Sequence, residues 1–158
     1  MDKDEIAHCI RHLRDRDYFN QIQRSKKRIE RYGEIFTPTA LVQEMLDQLP
    51  QEQFADPTKT FLDNSCGDGQ FLAEVVIRKL EHGSTLEQAL STTYGVELMR
   101  DNVELCRERL LCGHEEFRHI VNRNIVCHDA LSYDYCFNGT DYTDEELAAK
   151  KKYNLPWM

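Results

Sequence analysis

Twelve consecutive residues, Phe61-Leu62-Asp63-Asn64-Ser65-Cys66-Gly67-Asp68-Gly69-Gln70-Phe71-Leu72, narrow the folds open to this chain more than any other stretch. An apolar run ending on an acid, two glycines one residue apart and then apolar positions at helical spacing read as strand, tight turn and helix. Gly67 and Gly69 let the backbone pass through positive φ and come close to a ligand, and the first turn of the helix offers unpaired N–H groups. Asp63 and Asp68 would repel a phosphate there, so a ligand carrying positive charge suits the turn better. Taken alone, the same residues would also serve as a loop that needs two positive-φ positions.

The neighbouring segments build on that turn. Thr60 to Ser65 reads as the first strand, and the helix after Gly69 buries Phe71, Leu72, Val75, Val76 and Leu80 at a spacing of three to four. Leu86 to Leu90 is a candidate short helix. Thr92 to Leu98 reads as a second strand ending near Glu97, which stands 28 positions beyond Gly69. A carboxylate at that place accepts ribose hydroxyls in nucleoside sites; the plainer alternative is a surface glutamate at a strand end. A helix from Met99 to about Cys112 turns Val103, Leu105, Cys106, Leu110 and Leu111 inward, with Gly113 to end it. Arg123 to Cys127 reads as a third strand running into His128-Asp129-Ala130-Leu131. There Asp129 could accept the exocyclic amine of an adenine with Leu98 or Leu131 against the ring, or be a turn residue. S-adenosylmethionine, with a sulfonium and an amino group on a nucleoside, is a ligand of this description.

Upstream, Phe36-Thr37-Pro38-Thr39 precedes a helix through Leu41, Val42, Met45, Leu46 and Leu49. Pro38 fixes φ, and Thr37 or Thr39 can cap the helix. A hydroxyl and exposed N–H groups at a helix start suit a carboxylate ligand, although the same tripeptide is an ordinary turn into a helix.

Composition and charge limit the partners. The chain has 158 residues with 41% hydrophobic content, enough for one globular domain with a core. No apolar run approaches the roughly 20 residues of a membrane span, and Met1-Asp2-Lys3-Asp4-Glu5 is not a secretory signal, so a cytoplasmic protein is expected. Six cysteines without a CxxC pair read as reduced thiols. A zinc site from Cys112, His114, His119, Cys127 and His128 would have irregular spacing, and no metal is expected. The net charge is −8, yet Arg11 to Tyr32 carries eight arginines and lysines against Asp15, Asp17 and Glu30. This basic segment fits nucleic acid or an acidic partner surface, or it is a solvated helix face. Residues 4 to 31 read as one or two helices with few apolar positions, for which slight packing is expected.

Phe36-Thr37-Pro38, Asp63-x-x-Cys66-Gly67-x-Gly69-x-Phe71-Leu72, Gly95-Val96-Glu97 and Asp129-Ala130-Leu131 resemble, in order and spacing, the motifs of N6-adenine DNA methyltransferases. The likeness is greatest to modification subunits of restriction systems and their phage relatives, and it covers about residues 30 to 132. It implies a class I, Rossmann-like α/β fold, a parallel sheet with helices on both faces, here C-terminally shortened and preceded by an N-terminal helical segment. It also implies a pocket for S-adenosylmethionine. Phe36, Thr37 and Pro38 would hold the methionine end. Asp63 and the backbone of Ser65, Cys66, Gly67 and Gly69 would take its amino and carboxylate groups, with Phe71 completing the motif. Glu97 beside Leu98 would hold the ribose, and Asp129 beside Ala130 the adenine. Asn64 and Ser65 stand where that family commonly has proline and alanine.

The resemblance further implies an amide or acid, a proline turn and an aromatic to finish catalysis on a flipped-out base. Asn154-Leu155-Pro156-Trp157 has that chemistry, making Asn154, Pro156 and Trp157 the candidate catalytic residues. Its setting differs from the family's apolar fourth strand: Thr143-Asp144-Glu145-Glu146 is a capping box that starts a helix. The expected organisation is a basic helical segment (1–31), a cofactor-binding core (32–132) and a tail (133–158). The first strand would be left at the sheet edge, to be covered by residues 132 to 158 or by another chain, hence an expected homodimer or heteromeric assembly. Two functions fit: an S-adenosylmethionine-dependent adenine-N6 methyltransferase acting on DNA, or a catalytically inactive cofactor-binding accessory module.

Overall fold

The computed structural model describes residues 1–16 and 37–153. Helix α1 (Lys3–Arg14) starts on a capping box, in which Asp2 accepts from the Asp4 and Glu5 N–H groups and Glu5 accepts from the Asp2 N–H at 2.8 Å. Then come α2 (Thr39–Asp47), α3 (Glu52–Ala55), β1 (Phe61–Asp63), α4 (Gln70–Glu81), α5 (Leu86–Ser91), β2 (Thr93–Glu97) and α6 (Arg100–Leu111). A 3-10 turn at Glu115–Phe117 precedes α7 (Arg118–Asn124), β3 (Ile125–Cys127) and α8 (Asp144–Tyr153). The strands form one parallel sheet in the order β1-β2-β3, with Asp63 beside Gly95 and Glu97 beside Cys127. Parallel neighbours need long crossovers, which α4 and α6 provide, and the expected Rossmann-like α/β class is what the chain adopts.

Helix α4 is the hub of the core. Leu72, Ala73, Val76, Ile77 and Leu80 are buried in the main cluster, while Val75 joins Val42, Leu46 and Phe54 in a second. A helix apolar on most sides must be enclosed, and each such leucine or isoleucine contributes about 1.5–3 kcal/mol on burial. Lys79 of α4 is itself fully buried, donating to the Lys59 carbonyl at 2.7 Å and to Thr92 Oγ1 at 2.9 Å. It pins the chain entering β1 to the chain entering β2, and burial pulls its pKa down.

Several local expectations are corrected. β1 is shorter than Thr60 to Ser65, because Asn64 and Ser65 already belong to the turn. Arg123 and Asn124 end α7 rather than start β3: Ile120, Val121 and Asn124 recur at helical spacing on its buried face, and Asn124 donates to the Leu90 carbonyl at 3.0 Å. Neither Thr37 nor Thr39 caps α2. Pro38 is the N-cap residue with no side-chain bond to the helix, and Thr39 Oγ1 instead accepts from Gln70 Nε2 at 2.6 Å. The described part of the N-terminal segment packs well, since Cys9 and Leu13 are fully buried and Ile6 and Ile10 lie against the core. The basic stretch from residue 17 to 31 lies outside the described residues.

After β3 the chain is held by rings and ion pairs. His128 stacks on Tyr133 at 4.4 Å, and Phe137 meets Tyr133 at 5.4 Å and Tyr94 of β2 at 4.7 Å. Arg107 binds Asp141 at 2.9 Å, Asp141 accepts from the Cys127 N–H at 2.9 Å, and the Tyr142 N–H donates to the Cys127 carbonyl at 2.9 Å. These bonds cover the outer edge of β3, whereas Leu62 on β1 stays 52% exposed. The described part of the tail thus bonds to the β3 edge, so of the two covers expected for β1, the tail or another chain, the described tail residues do not supply the first. Thr143 and Glu146 form the expected capping box of α8, at 2.7 and 3.2 Å. Among the described residues no helix is long and apolar enough to cross a membrane.

Candidate cofactor site

The carboxyl ends of the three strands open into a cavity of about 640 Å³, a size suited to a nucleoside-sized ligand. Its floor is the turn after β1. Ser65 N–H donates to Asp63 Oδ1 at 3.0 Å, Cys66 N–H to the Val96 carbonyl at 3.1 Å, and Gly69 N–H to the Cys66 carbonyl at 2.8 Å. Gly69, with φ 92°, is the N-cap of α4; a Cβ there would lie 2.7 Å from Cys106 Sγ. Only glycine satisfies both the left-handed backbone and that close approach.

Glu97 ties the turn to the second strand end. One carboxylate oxygen accepts from the Gly67 N–H at 2.7 Å and the other from the Met99 N–H at 3.0 Å. Its carbonyl accepts from the His128 N–H at 3.1 Å, which joins the third strand end to the same point. Asp129 accepts from the Leu131 N–H at 3.0 Å and faces the Lys150 ammonium of α8 at 3.6 Å.

The four acids of the cavity differ in their surroundings. Asp68 is 1% exposed and meets Arg16 at 3.0 Å and Arg109 at 3.7 Å. Asp63 has no cationic partner among the described residues; burial raises its pKa, and the Ser65 N–H offsets only part of that rise. A desolvated carboxylate of this kind gains from an incoming cation. The Cys66 thiol is held well above its ordinary pKa, first by its bond with the Cys106 thiol and then by burial, so it lines the cavity as a neutral group.

Most residues expected from sequence meet here. Thr37, Asp63, Ser65, Cys66, Gly67 and Phe71 line the first side of the cavity, and Glu97, Leu98, Asp129 and Ala130 the other. Pro38 and Gly69 shape the helix starts behind the wall instead of lining it. Phe36, Asn154, Pro156 and Trp157 lie outside the described residues. Sequence reading missed Gln70, Met99 and His128 as wall residues. Each directly follows a recognised turn or strand end, and that adjacency was the available signal. Among the described residues no group of three or more His, Cys, Asp or Glu is placed to hold a metal ion.

A parallel sheet, a glycine turn after its first strand and acids at successive strand ends define the Rossmann-like methyltransferase class. Within it, the chain belongs to the N-6 DNA methylase family, whose model matches residues 18–157. It is therefore DNA adenine methyltransferase-like. No curated protein and no solved structure matches it significantly.

Proposed function

We propose that the cavity binds S-adenosylmethionine and that the protein is a methyltransferase acting on adenine N6 in DNA. The observation that carries this reading is Asp63: a desolvated carboxylate with raised proton affinity, across the glycine turn from Glu97. It suits the ligand's ammonium, while the N–H groups of Ser65 to Gly69 suit its carboxylate. Glu97, held in place by the Gly67 and Met99 N–H groups, would accept hydrogen bonds from the ribose hydroxyls. Asp129 would take the adenine amine, with Leu98 and Leu131 beside the ring. S-adenosylmethionine supplies a methyl group activated by the adjacent sulfonium. The Asn154 amide oxygen would accept a hydrogen bond from the target N–H, orienting N6 to bond the methyl carbon as its bond to sulfur breaks; the thioether S-adenosylhomocysteine leaves and N6 gives up a proton to solvent, with Trp157 stacked on the base and Pro156 stiffening the turn.

The alternative, a cofactor-binding module without its own transfer activity, is favoured by α8. This helix, and not an apolar strand, runs directly up to Asn154. The basic segment around residues 17–31 would contact DNA in either case. The organisation into residues 1–31, 32–132 and 133–158 fits this division of labour. A restriction-modification system or a phage is the setting such a chain would serve. The edge of β1, which no strand pairs among the described residues and where Leu62 is exposed, is the surface we assign to a second chain; a monomer in light scattering at micromolar concentration would count against it.

Calorimetric titration with S-adenosylmethionine and S-adenosylhomocysteine tests the pocket, with Glu97→Ala expected to weaken binding at least tenfold. Labelled methyl transfer to unmethylated DNA, repeated with Asn154→Ala, separates enzyme from module. Transfer lost in the variant supports the enzyme; tight binding without transfer supports the module; no binding in the wild type overturns both.

A further inference from the structure

Asp68 is the acid of the glycine turn that the ligand argument leaves unused. It lies between Gly67, φ 55°, and Gly69, φ 92°, and Arg16 just beyond α1 donates to it from Nε at 3.0 Å. Arg109 of α6, facing the same carboxylate at 3.7 Å, also donates to the Leu13 carbonyl of α1 at 2.5 Å and to Gln70 Oε1 at 2.9 Å. The turn, α1 and the first residue of α4 are thus joined through one buried charge cluster. We propose that Asp68, Arg16 and Arg109 are positioning residues for the cofactor turn, so that docking of α1 and the ligand-binding shape of Ser65 to Gly69 form one coupled event.

The physical reason is the cost of an unpaired buried carboxylate. If α1 lifts away, Asp68 loses its 3.0 Å bond from Arg16, and Arg109 loses the Leu13 carbonyl that holds it beside the same carboxylate, so the buried cluster must rearrange. Gly67 and Gly69 are the immediate neighbours of Asp68 and move with it, which breaks the 2.7 Å bond from Gly67 N–H to Glu97. Coupling of this kind is reciprocal: what tightens the turn also tightens α1. The proposal rests on the methyl-donor reading for its ligand, but its geometry stands without one.

Hydrogen exchange on the intact, ligand-free chain tests it. Asp68→Asn and Arg16→Ala should each speed exchange about tenfold both in residues 66–70 and in α1. The double variant should be no worse than the weaker single, and Arg16→Lys should recover most of the protection. Arg14→Ala tests reciprocity: Arg14 binds Glu74 of α4 at 3.2 Å, outside the cluster, so its loss loosens α1 and, through the coupling, should speed exchange in residues 66–70 as well. Normal α1 exchange in Asp68→Asn, or faster α1 exchange with normal turn exchange in Arg14→Ala, overturns the coupling. In a second arm, Arg16→Ala and Asp68→Asn should raise the Kd for S-adenosylhomocysteine about tenfold, and Arg14→Ala should raise it in proportion to how far it loosens α1. A wild type that binds no S-adenosylhomocysteine refutes the methyl-donor reading, and the exchange arm still decides the coupling.

Discussion

Gly69→Ala loads two separate penalties onto the glycine turn after β1. An alanine at φ 92° leaves the regions open to L-residues, which costs about 1–2 kcal/mol. Its Cβ would also stand 2.7 Å from Cys106 Sγ and 3.5 Å from Cys106 Cβ, so the fully buried Cys106 must shift in a packed core. Overpacking of that kind costs about 1–3 kcal/mol. Together the loss is roughly 2–5 kcal/mol, a large share of the 5–15 kcal/mol typical of a domain, and lowers Tm by roughly 4–20 °C. The two parts can be separated. Cys106→Ala alone should cost roughly 1–2 kcal/mol as a small cavity. In that background the steric part of the Gly69→Ala penalty disappears while the backbone part remains, giving a coupling of about 1–3 kcal/mol. Urea unfolding of the four proteins followed by circular dichroism measures the cycle. A Gly69→Ala protein within about 0.5 kcal/mol of wild type, or a penalty undiminished beside Cys106→Ala, would refute the reasoning.

Other perturbations reach other parts of the molecule. Burial makes native Asp63 hold its proton more tightly than the unfolded chain does, so wild-type stability falls as pH rises from the ordinary aspartate range through the raised value. Asp63→Asn should therefore melt higher than wild type at neutral pH, lose that advantage below the ordinary aspartate range, and fail to bind S-adenosylmethionine. A lower neutral-pH Tm would sink the argument. Lys79→Ala removes a fully buried stem and leaves the Lys59 carbonyl and Thr92 hydroxyl without their donor. It should cost about 3 kcal/mol or more in denaturant unfolding. Of the six cysteines only Cys136 is exposed, so a thiol reagent should react with one group per native chain and with the other five after unfolding. Rapid native labelling of Cys66 would show that the turn is open.

Much of the site was legible in the sequence because it depends on local geometry. Gly67 and Gly69 announce a turn that other residues resist, and Asp63, Glu97 and Asp129 each stand where an apolar strand run ends. The strand boundaries were less legible. Arg123-Asn124-Ile125-Val126-Cys127 carries β-branched residues next to a helical pattern, and only the packing of Asn124 against Leu90 assigns its first two residues to α7. Thr39 illustrates the same limit: a threonine at a helix start invites capping, but Gln70, distant in sequence, takes its hydroxyl.

The sequence by itself determined the class of fold, the family and the positions of the acids at the strand ends, because each follows from spacing along one chain. Only the tertiary structure decided what each acid does. Burial leaves Asp63 without a cation among the described residues, Glu97 is tied to the Gly67 and Met99 N–H groups, and Asp68 is paired with Arg16 and Arg109. The proton affinity and partners of a carboxylate depend on what surrounds it in space, and α1 and α6 reach Asp68 from positions far removed along the chain.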